Sequence, residues 1–132
     1  MAYELFKKYK STLEKDLDIN RLNLDEKALS LPAVKHFWVA KMIEAKIEIN
    51  DLEREKKNLF KILSESDEMK EVSFSKDAIQ KIFNNSPRVK EINEKIEELK
   101  LIVEYLTDVK YVLGRATDDI KNRIELEKAE TL

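Results

Sequence analysis

The sequence predicts an all-α protein, a helical bundle in which two long antiparallel helices pack with shorter N-terminal helices. Two observations lead to this prediction. The 132-residue chain has one glycine, two prolines and 39% charged residues, so few helix breakers interrupt it. In two long stretches, apolar residues recur at alternating steps of three and four, which places each set on one side of a helix.

Two apolar seams mark the long helices. The first seam consists of Trp38, Met42, Ala45, Ile49, Leu52, Leu59 and Leu63, with Lys56 at the position that interrupts it. The second seam consists of Val89, Ile92, Ile96, Leu99, Val103 and Leu106. Two long helices joined by a modest loop normally pack antiparallel. We therefore expect the two seams to face each other.

Local start and stop signals set the expected helix boundaries. Residues 2–16 are amphipathic, and a second short helix is expected before Pro32. Proline suits the first helical position, so Pro32 is expected to open the first long helix. The polar residues 64–75 predict a flexible loop. Ser86 and Pro87 predict the N-cap and first residue of the second long helix.

The end of the chain predicts a segment for self-association. Gly114 is expected to kink or end the second long helix, and residues 115–128 are expected to form a C-terminal assembly segment. This segment carries Ile120 and Ile124, which have no evident partner in the same chain. A small chain with unpartnered apolar surface usually buries it by oligomerisation. We therefore expect one helical domain, residues 1–132, that forms a homo-oligomer.

The composition offers little for catalysis. The chain has no cysteine, a single histidine (His36) and a single glycine. It therefore lacks thiol chemistry, a glycine-rich phosphate loop and the partner groups that a catalytic histidine needs. The acidic clusters lack the spacing of a calcium loop. We expect no enzyme activity, no metal and no cofactor, and no apolar run approaches the roughly 20 residues that span a bilayer.

A basic run in the first long helix is the candidate binding site. Arg54, Lys57 and Lys61 are spaced three and four residues apart, so they share one helix face that can track a phosphate backbone. The alternative is a solvated face whose charge is balanced by neighbouring acids. These acids are Asp51, Glu53 and Glu55. The net charge of −2 also argues against nucleic acid, although a local basic stripe is compatible with it.

Two aromatic residues near the start of the first seam have two interpretations. Phe37 and Trp38 could stack on nucleic-acid bases, as aromatic residues do in single-strand binders. Trp38 also begins the apolar seam, which favours a role in core packing.

Several short strings occur along the chain in a fixed order. They are Asp16-Leu17-Asp18-Ile19, Glu26, Pro32 followed by Trp38, Phe60-Lys61, Val103-Glu104-Tyr105-Leu106 and Ile120-Lys121-Asn122-Arg123-Ile124-Glu125. In this order and spacing the sequence resembles the UvsY-type recombination mediators of T4-like phages. The resemblance departs at Leu63, where the family usually has an arginine, and in the acidic loop that begins at Ser64.

The resemblance implies a function that the seams only permit. Such proteins form rings, bind single-stranded DNA and help load a RecA-like phage recombinase onto DNA coated by single-strand-binding protein, in the cytoplasm of the infected bacterial host. Lys61 matches the family's lysine, with Lys57 and Arg54 on the turns before it. Ile120 and Ile124 match the segment that would assemble the ring. Restoring the arginine at Leu63 is expected to strengthen DNA binding.

The recombinase contact and the functional class leave alternatives open. The acidic residues 65–71 or the N-terminal lysines could contact the recombinase. These lysines are Lys7, Lys8 and Lys10. The alternative function is a structural coiled-coil module, such as a prefoldin-like chaperone subunit or a scaffold adaptor, which would explain the seams and the acidic balance without nucleic acid.

Overall fold

The computed structural model describes residues 2–18, 23–66 and 75–131. These residues form four α-helices and no strand, which confirms the all-α prediction. The helices are α1 (Ala2–Asp16), α2 (Leu24–Ser64), α3 (Lys76–Asn84) and α4 (Pro87–Thr131). Most of the loop expected at residues 64–75 lies outside the described residues.

Capping signals in the sequence set the starts of α3 and α4. The Ser75 side chain accepts a hydrogen bond from the Ala78 backbone N–H at 3.2 Å, which satisfies one of the unpaired donors of the first turn of α3. Pro87 is the first residue of α4, as predicted, because proline lacks the N–H that would be unpaired at this position. The chain therefore turns between α3 and α4 over two residues, Asn85 and Ser86.

The predicted helix boundary at Pro32 is wrong. Pro32 lies inside α2, which begins eight residues earlier at Leu24. An interior proline removes one helical hydrogen bond and costs about 3 kcal/mol. Leu31 and Trp38 on the same helix are each only 1% exposed, and burying two large apolar side chains on one face offsets that cost. The proline ring itself lies on the exposed side of α2.

The predicted helix end at Gly114 is also wrong. α4 continues through Gly114 to Thr131. The apolar stripe crosses the glycine without a change of spacing, because Leu113, Ala116 and Ile120 are all buried. A glycine inside a helix costs only about 1 kcal/mol relative to alanine, so this packing decides the outcome.

The chain divides into two compact units. The first unit comprises Met1–Glu44 and Ile102–Leu132, and the second comprises Ala45–Leu101. In the first unit, α1 packs with the N-terminal part of α2 and the C-terminal part of α4 around one buried cluster. Its buried members are Leu13, Leu31, Trp38, Met42, Ile102, Leu106, Val109, Leu113, Ala116 and Ile120.

Trp38 fixes α1 to α2 in the first unit. The ring of Tyr9 meets it edge-on at a centroid distance of 5.4 Å. The Trp38 indole Nε1 donates a hydrogen bond to Oδ2 of Asp16 at 3.1 Å, at the end of α1. A buried tryptophan needs a partner for its N–H, and Asp16 supplies one. The core interpretation of Trp38 is therefore confirmed.

In the second unit the remainder of α2 runs antiparallel to the start of α4, with α3 alongside. Ile96 and Leu99 are 6% and 9% exposed, as the second seam predicts. Two ion pairs join the long helices: Glu55 accepts from Arg88 at 2.6 Å, and Glu48 contacts Lys95 at 3.1 Å. The order of these pairs is that of antiparallel helices, because the residue number rises on α2 as it falls on α4.

Truncation of Leu113 should destabilise the first unit. Leu113 is fully buried, so Leu113→Ala should lower the free energy of unfolding by about 2–5 kcal/mol through lost burial and the cavity left behind. Leu126→Ala is the matched control on the same helix, since Leu126 is 64% exposed and its truncation should change stability by less than about 0.5 kcal/mol. Urea denaturation followed by circular dichroism, at one protein concentration, measures both; equal effects would contradict the packing.

Candidate functional site

The described residues offer no interior chemistry. No buried residue among them is polar or charged, and no group of three His, Asp or Glu side chains is placed to hold a metal ion. His36 is exposed on α2. A functional site in residues 2–18, 23–66 and 75–131 must therefore be a surface.

No described helix is both long enough and apolar enough to cross a bilayer.

A cationic face runs along the part of α2 that belongs to the second unit. Arg54, Lys57 and Lys61 are all exposed there, and their spacing places them on one side of the helix. Lys46, also exposed, lies about three helical turns before Lys57 and so extends the same side. We call Lys46, Arg54, Lys57 and Lys61 the cationic face. It is about 22 Å long, from the helical rise of 1.5 Å per residue.

The neighbouring acids only partly balance the cationic face. Asp51 pairs with Arg54, with 3.7 Å between oxygen and nitrogen. The other three cations have no ion-pair partner among the described residues. Two glutamates of the same helix, Glu48 and Glu55, are engaged by α4 instead. Glu53 is also exposed on this side of α2, four residues before Lys57. The solvated, balanced face therefore stays an alternative to a binding face.

The Glu55 pair is the best-defined electrostatic contact of the second unit. Arg88 donates to Oε1 of Glu55 from Nε at 3.1 Å and from Nη2 at 2.6 Å. The hydrogen bond to Glu55 and its charge raise the pKa of Arg88 above its usual value. Glu55 therefore neutralises a cation on α4 and contributes little negative charge to the outward side of α2.

An open groove lies beside the cationic face, between α2 and α3. Its volume is about 570 Å³, within the range of roughly 300–1,000 Å³ that is typical of small-ligand sites. It is lined by Glu53, Lys56, Lys57, Phe60, Gln80 and Phe83. Its aromatic lining is Phe60 and Phe83, whose ring centroids are 5.2 Å apart with an edge-to-face angle of 84° between the rings. We call it the α2–α3 groove; Lys57 belongs both to it and to the cationic face.

The other aromatic candidates are placed less favourably. Trp38 is 1% exposed and cannot stack on a ligand without unfolding. Phe37 is 46% exposed, but its ring packs edge-on against Trp38 and lies under the Lys41 ammonium, 5.4 Å from it. Base stacking at Phe37 and Trp38 therefore has little structural support.

Leu63 does not lie with the cationic face. Two residues along a helix turn it by about 200°, so Leu63 faces away from Lys61. Its side chain is half-buried. An arginine at this position would not extend the cationic face, and the expected gain in DNA binding from Leu63→Arg has no geometric support.

The expectation that Ile120 and Ile124 have no partner in the same chain is wrong. Ile120 is 3% exposed and belongs to the core of the first unit, and Ile124 packs against that core. Both therefore have partners in the same chain, because α4 continues past Gly114 and carries them along α2. Their role in oligomerisation stays a prediction.

A different apolar surface is exposed on the first unit. We call it the outer apolar stripe of α2; it lies on the side opposite Leu31 and Trp38. Its members are the exposed Leu29, Ala33 and Ile43 and the partly buried Ala40, and the exposed His36 lies on the same side between them. Leu29 is 86% exposed and Ile43 is 49% exposed. A partner that covered this side of α2 would remove both side chains from water.

Sequence reasoning missed Lys46 and the groove for different reasons. Lys46 lies beyond the basic run, although its helical spacing from Lys57 was readable. Phe60 and Phe83 come from different helices, so no local pattern brings them together.

Structural comparison gives one consistent answer. The structure is similar to crystal structures of the bacteriophage T4 recombination mediator protein UvsY in lattice types IV, II and I, with TM-scores of 0.76, 0.73 and 0.72. The matches cover 94%, 96% and 92% of this chain and 97% of each UvsY chain. Sequence identity is 15%, 15% and 17%, so the likeness is one of fold.

No protein-family profile and no curated protein sequence matches the chain. The resemblance of the sequence to UvsY-type mediators is thus matched by a shared helical fold over nearly the whole length.

Proposed function

We propose that this protein is a single-stranded-DNA-binding recombination mediator. It helps load a RecA-like recombinase onto DNA coated by single-strand-binding protein, in the cytoplasm of an infected bacterial host, and catalyses no reaction. The observation that carries the proposal is the cationic face, whose lysines have no ion-pair partner among the described residues. The fold shared with the T4 mediator supports it.

The cationic face suits a flexible polyanion. Lysines without counter-charges release ions from a phosphate backbone when they bind it, which supplies most of the affinity for single strands. The net charge of −2 is no obstacle, since Glu48 and Glu55 are committed to cations of α4. A face of four cations on a straight helix gives contacts that do not depend on base sequence.

Self-association would make this weak contact effective. A homo-oligomeric ring repeats the cationic face in every subunit, so each further contact becomes intramolecular. The outer apolar stripe of α2 is our candidate for the contact between subunits, because burying Leu29 and Ile43 would remove two large apolar side chains from water. Wrapping a strand on such a ring would loosen its contacts with the resident coat protein and present it to the recombinase.

Loss of lysines from the cationic face should weaken DNA binding. The double variant Lys57→Ala/Lys61→Ala should lower oligo-dT affinity and reduce the slope of log affinity against log salt by roughly 1.4, about 0.7 for each lost phosphate contact. Fluorescence anisotropy over a salt series measures both quantities. Helicity should not change, because both side chains are exposed.

The matched control changes the same charge elsewhere in the second unit. Lys90→Ala/Lys100→Ala removes two exposed lysines from α4 and should leave the slope near that of the wild type. An unchanged slope in the Lys57/Lys61 variant would place the DNA on another surface. A stable oligomer that binds no oligo-dT would instead favour the structural coiled-coil module.

Charges on the outer apolar stripe should break the oligomer. Leu29→Glu/Ile43→Glu should give a smaller species in sedimentation velocity, because a carboxylate would have to be buried at the subunit contact. Leu101→Glu/Tyr111→Glu is the control, since these exposed residues of α4 lie outside the stripe and outside residues 115–128. A monomeric wild-type protein at micromolar concentration would contradict ring assembly. Truncation before Ile120 is unsuitable, because it removes a core residue.

The recombinase contact is proposed at one of the two charged segments considered from the sequence. Lys8 is exposed on α1, while Lys7 lies over the Tyr3 ring at 4.5 Å and Lys10 is 3.9 Å from Glu14. Residues 67–71 of the acidic loop lie outside the described residues.

Charge reversal should identify the recombinase-binding segment. Changing Lys7, Lys8 and Lys10 to Glu should abolish pull-down of a RecA-like phage recombinase if α1 makes the contact, and reversing the acids of residues 65–71 should do so if the loop does. Changing Lys90, Lys100 and Lys110 to Glu is the control on α4. Absence of binding by the wild type would remove this part of the proposal.

A further inference from the structure

We propose that the α2–α3 groove holds a nucleobase of the bound single strand, stacked on the ring of Phe60. The inference rests on the proposed function and adds a second kind of contact to it. The cationic face attracts the backbone, and the groove takes a base from the same strand. The partly exposed ring of Phe60 lies in an open groove whose lining includes Lys57 of the cationic face.

Phe60 and Phe83 contact each other in the groove, one ring buried and the other partly exposed. Phe83 is 4% exposed and forms part of the core of the second unit. Phe60 packs edge-to-face against it at a centroid distance of 5.2 Å and remains partly exposed. The buried ring thus holds the outer ring in a fixed orientation. A rigid aromatic surface open to solvent suits stacking of a planar base, which is sequence-tolerant because every base has such a surface.

The lining of the α2–α3 groove has an excess of positive charge. Lys56 and Lys57 line the groove, and neither has an ion-pair partner among the described residues. Glu53 is the one acid of the lining, so the lining carries a net positive charge. An anionic ligand with an aromatic part satisfies both features of the groove. A strand following the cationic face passes Lys57 and therefore reaches the groove without leaving that face.

The edge of the groove on α3 is polar. Gln80 Nε2 donates to Oδ1 of Asn84 at 3.0 Å, which holds the Gln80 amide in place at the edge of the groove. An amide can donate and accept, so it is able to meet the edge of any base. Stacking then supplies affinity at this position while the rim imposes little sequence preference.

The groove therefore predicts that binding depends on bases as well as phosphates. The experiment compares two 12-mers, oligo-dT and a fully abasic strand of the same length, by competition against labelled oligo-dT. Wild type should prefer oligo-dT. Phe60→Leu, which keeps an apolar side chain against Phe83, should reduce this preference by roughly tenfold with an unchanged salt slope.

Two further variants make the test specific. Phe60→Tyr keeps an aromatic ring and should retain the preference for oligo-dT. Ile62→Ala removes apolar surface from the opposite side of α2, where Ile62 is 67% exposed, and should also retain it. Circular dichroism should show equal helicity for all variants.

The outcomes separate this inference from the proposed function. If wild type binds both strands equally, or Phe60→Leu keeps the full preference, the groove holds no base while DNA binding through the cationic face stands. If wild type binds neither strand, the proposed function fails and the groove inference fails with it.

Discussion

Packing of α2 against α4 along their apolar seams is the interaction on which the rest of the structure depends. In the first unit it buries Leu31 and Trp38 with Leu113 in one cluster. In the second unit it buries Ile92 and Ile96 beneath the ion pairs that join the helices. Isolated helices are marginal in water, so most of their stability must come from this tertiary burial. The same burial carries α2 through its proline and α4 through its glycine.

The packing also sorts the charges of α2. Glu55 and Glu48 on the side toward α4 meet Arg88 and Lys95. The three lysines of the cationic face have no ion-pair partner among the described residues. A chain with a net charge of −2 thereby presents a local cationic face. Net charge is a poor guide to polyanion binding in such a protein. Ion pairs with α4 neutralise glutamates of α2 and leave a local excess of positive charge on the outward side of that helix.

Two regions of α2 carry the two proposed contacts, one with DNA and one between subunits. The cationic face and the α2–α3 groove lie in the second unit, and the outer apolar stripe lies in the first unit. Each is weak alone, since exposed ion contacts contribute little and a few apolar side chains bury a modest area. Repetition in a ring would make both effective, because binding of one subunit raises the local concentration of DNA for the next.

The sequence by itself determined the helices that have local signals and the faces that have regular spacing. Ser86 and Pro87 defined the start of α4, and helical spacing placed Lys57 and Lys61 on one side, because caps and periodicity act within a few residues. Only the tertiary structure decided whether a proline or glycine ends a helix, and whether an apolar residue has a packing partner in the same chain. Pro32 stays inside a helix and Ile120 is buried because distant side chains pack against their helices. The groove exists because Phe60 and Phe83 meet across two helices, a contact that no pattern along the chain encodes.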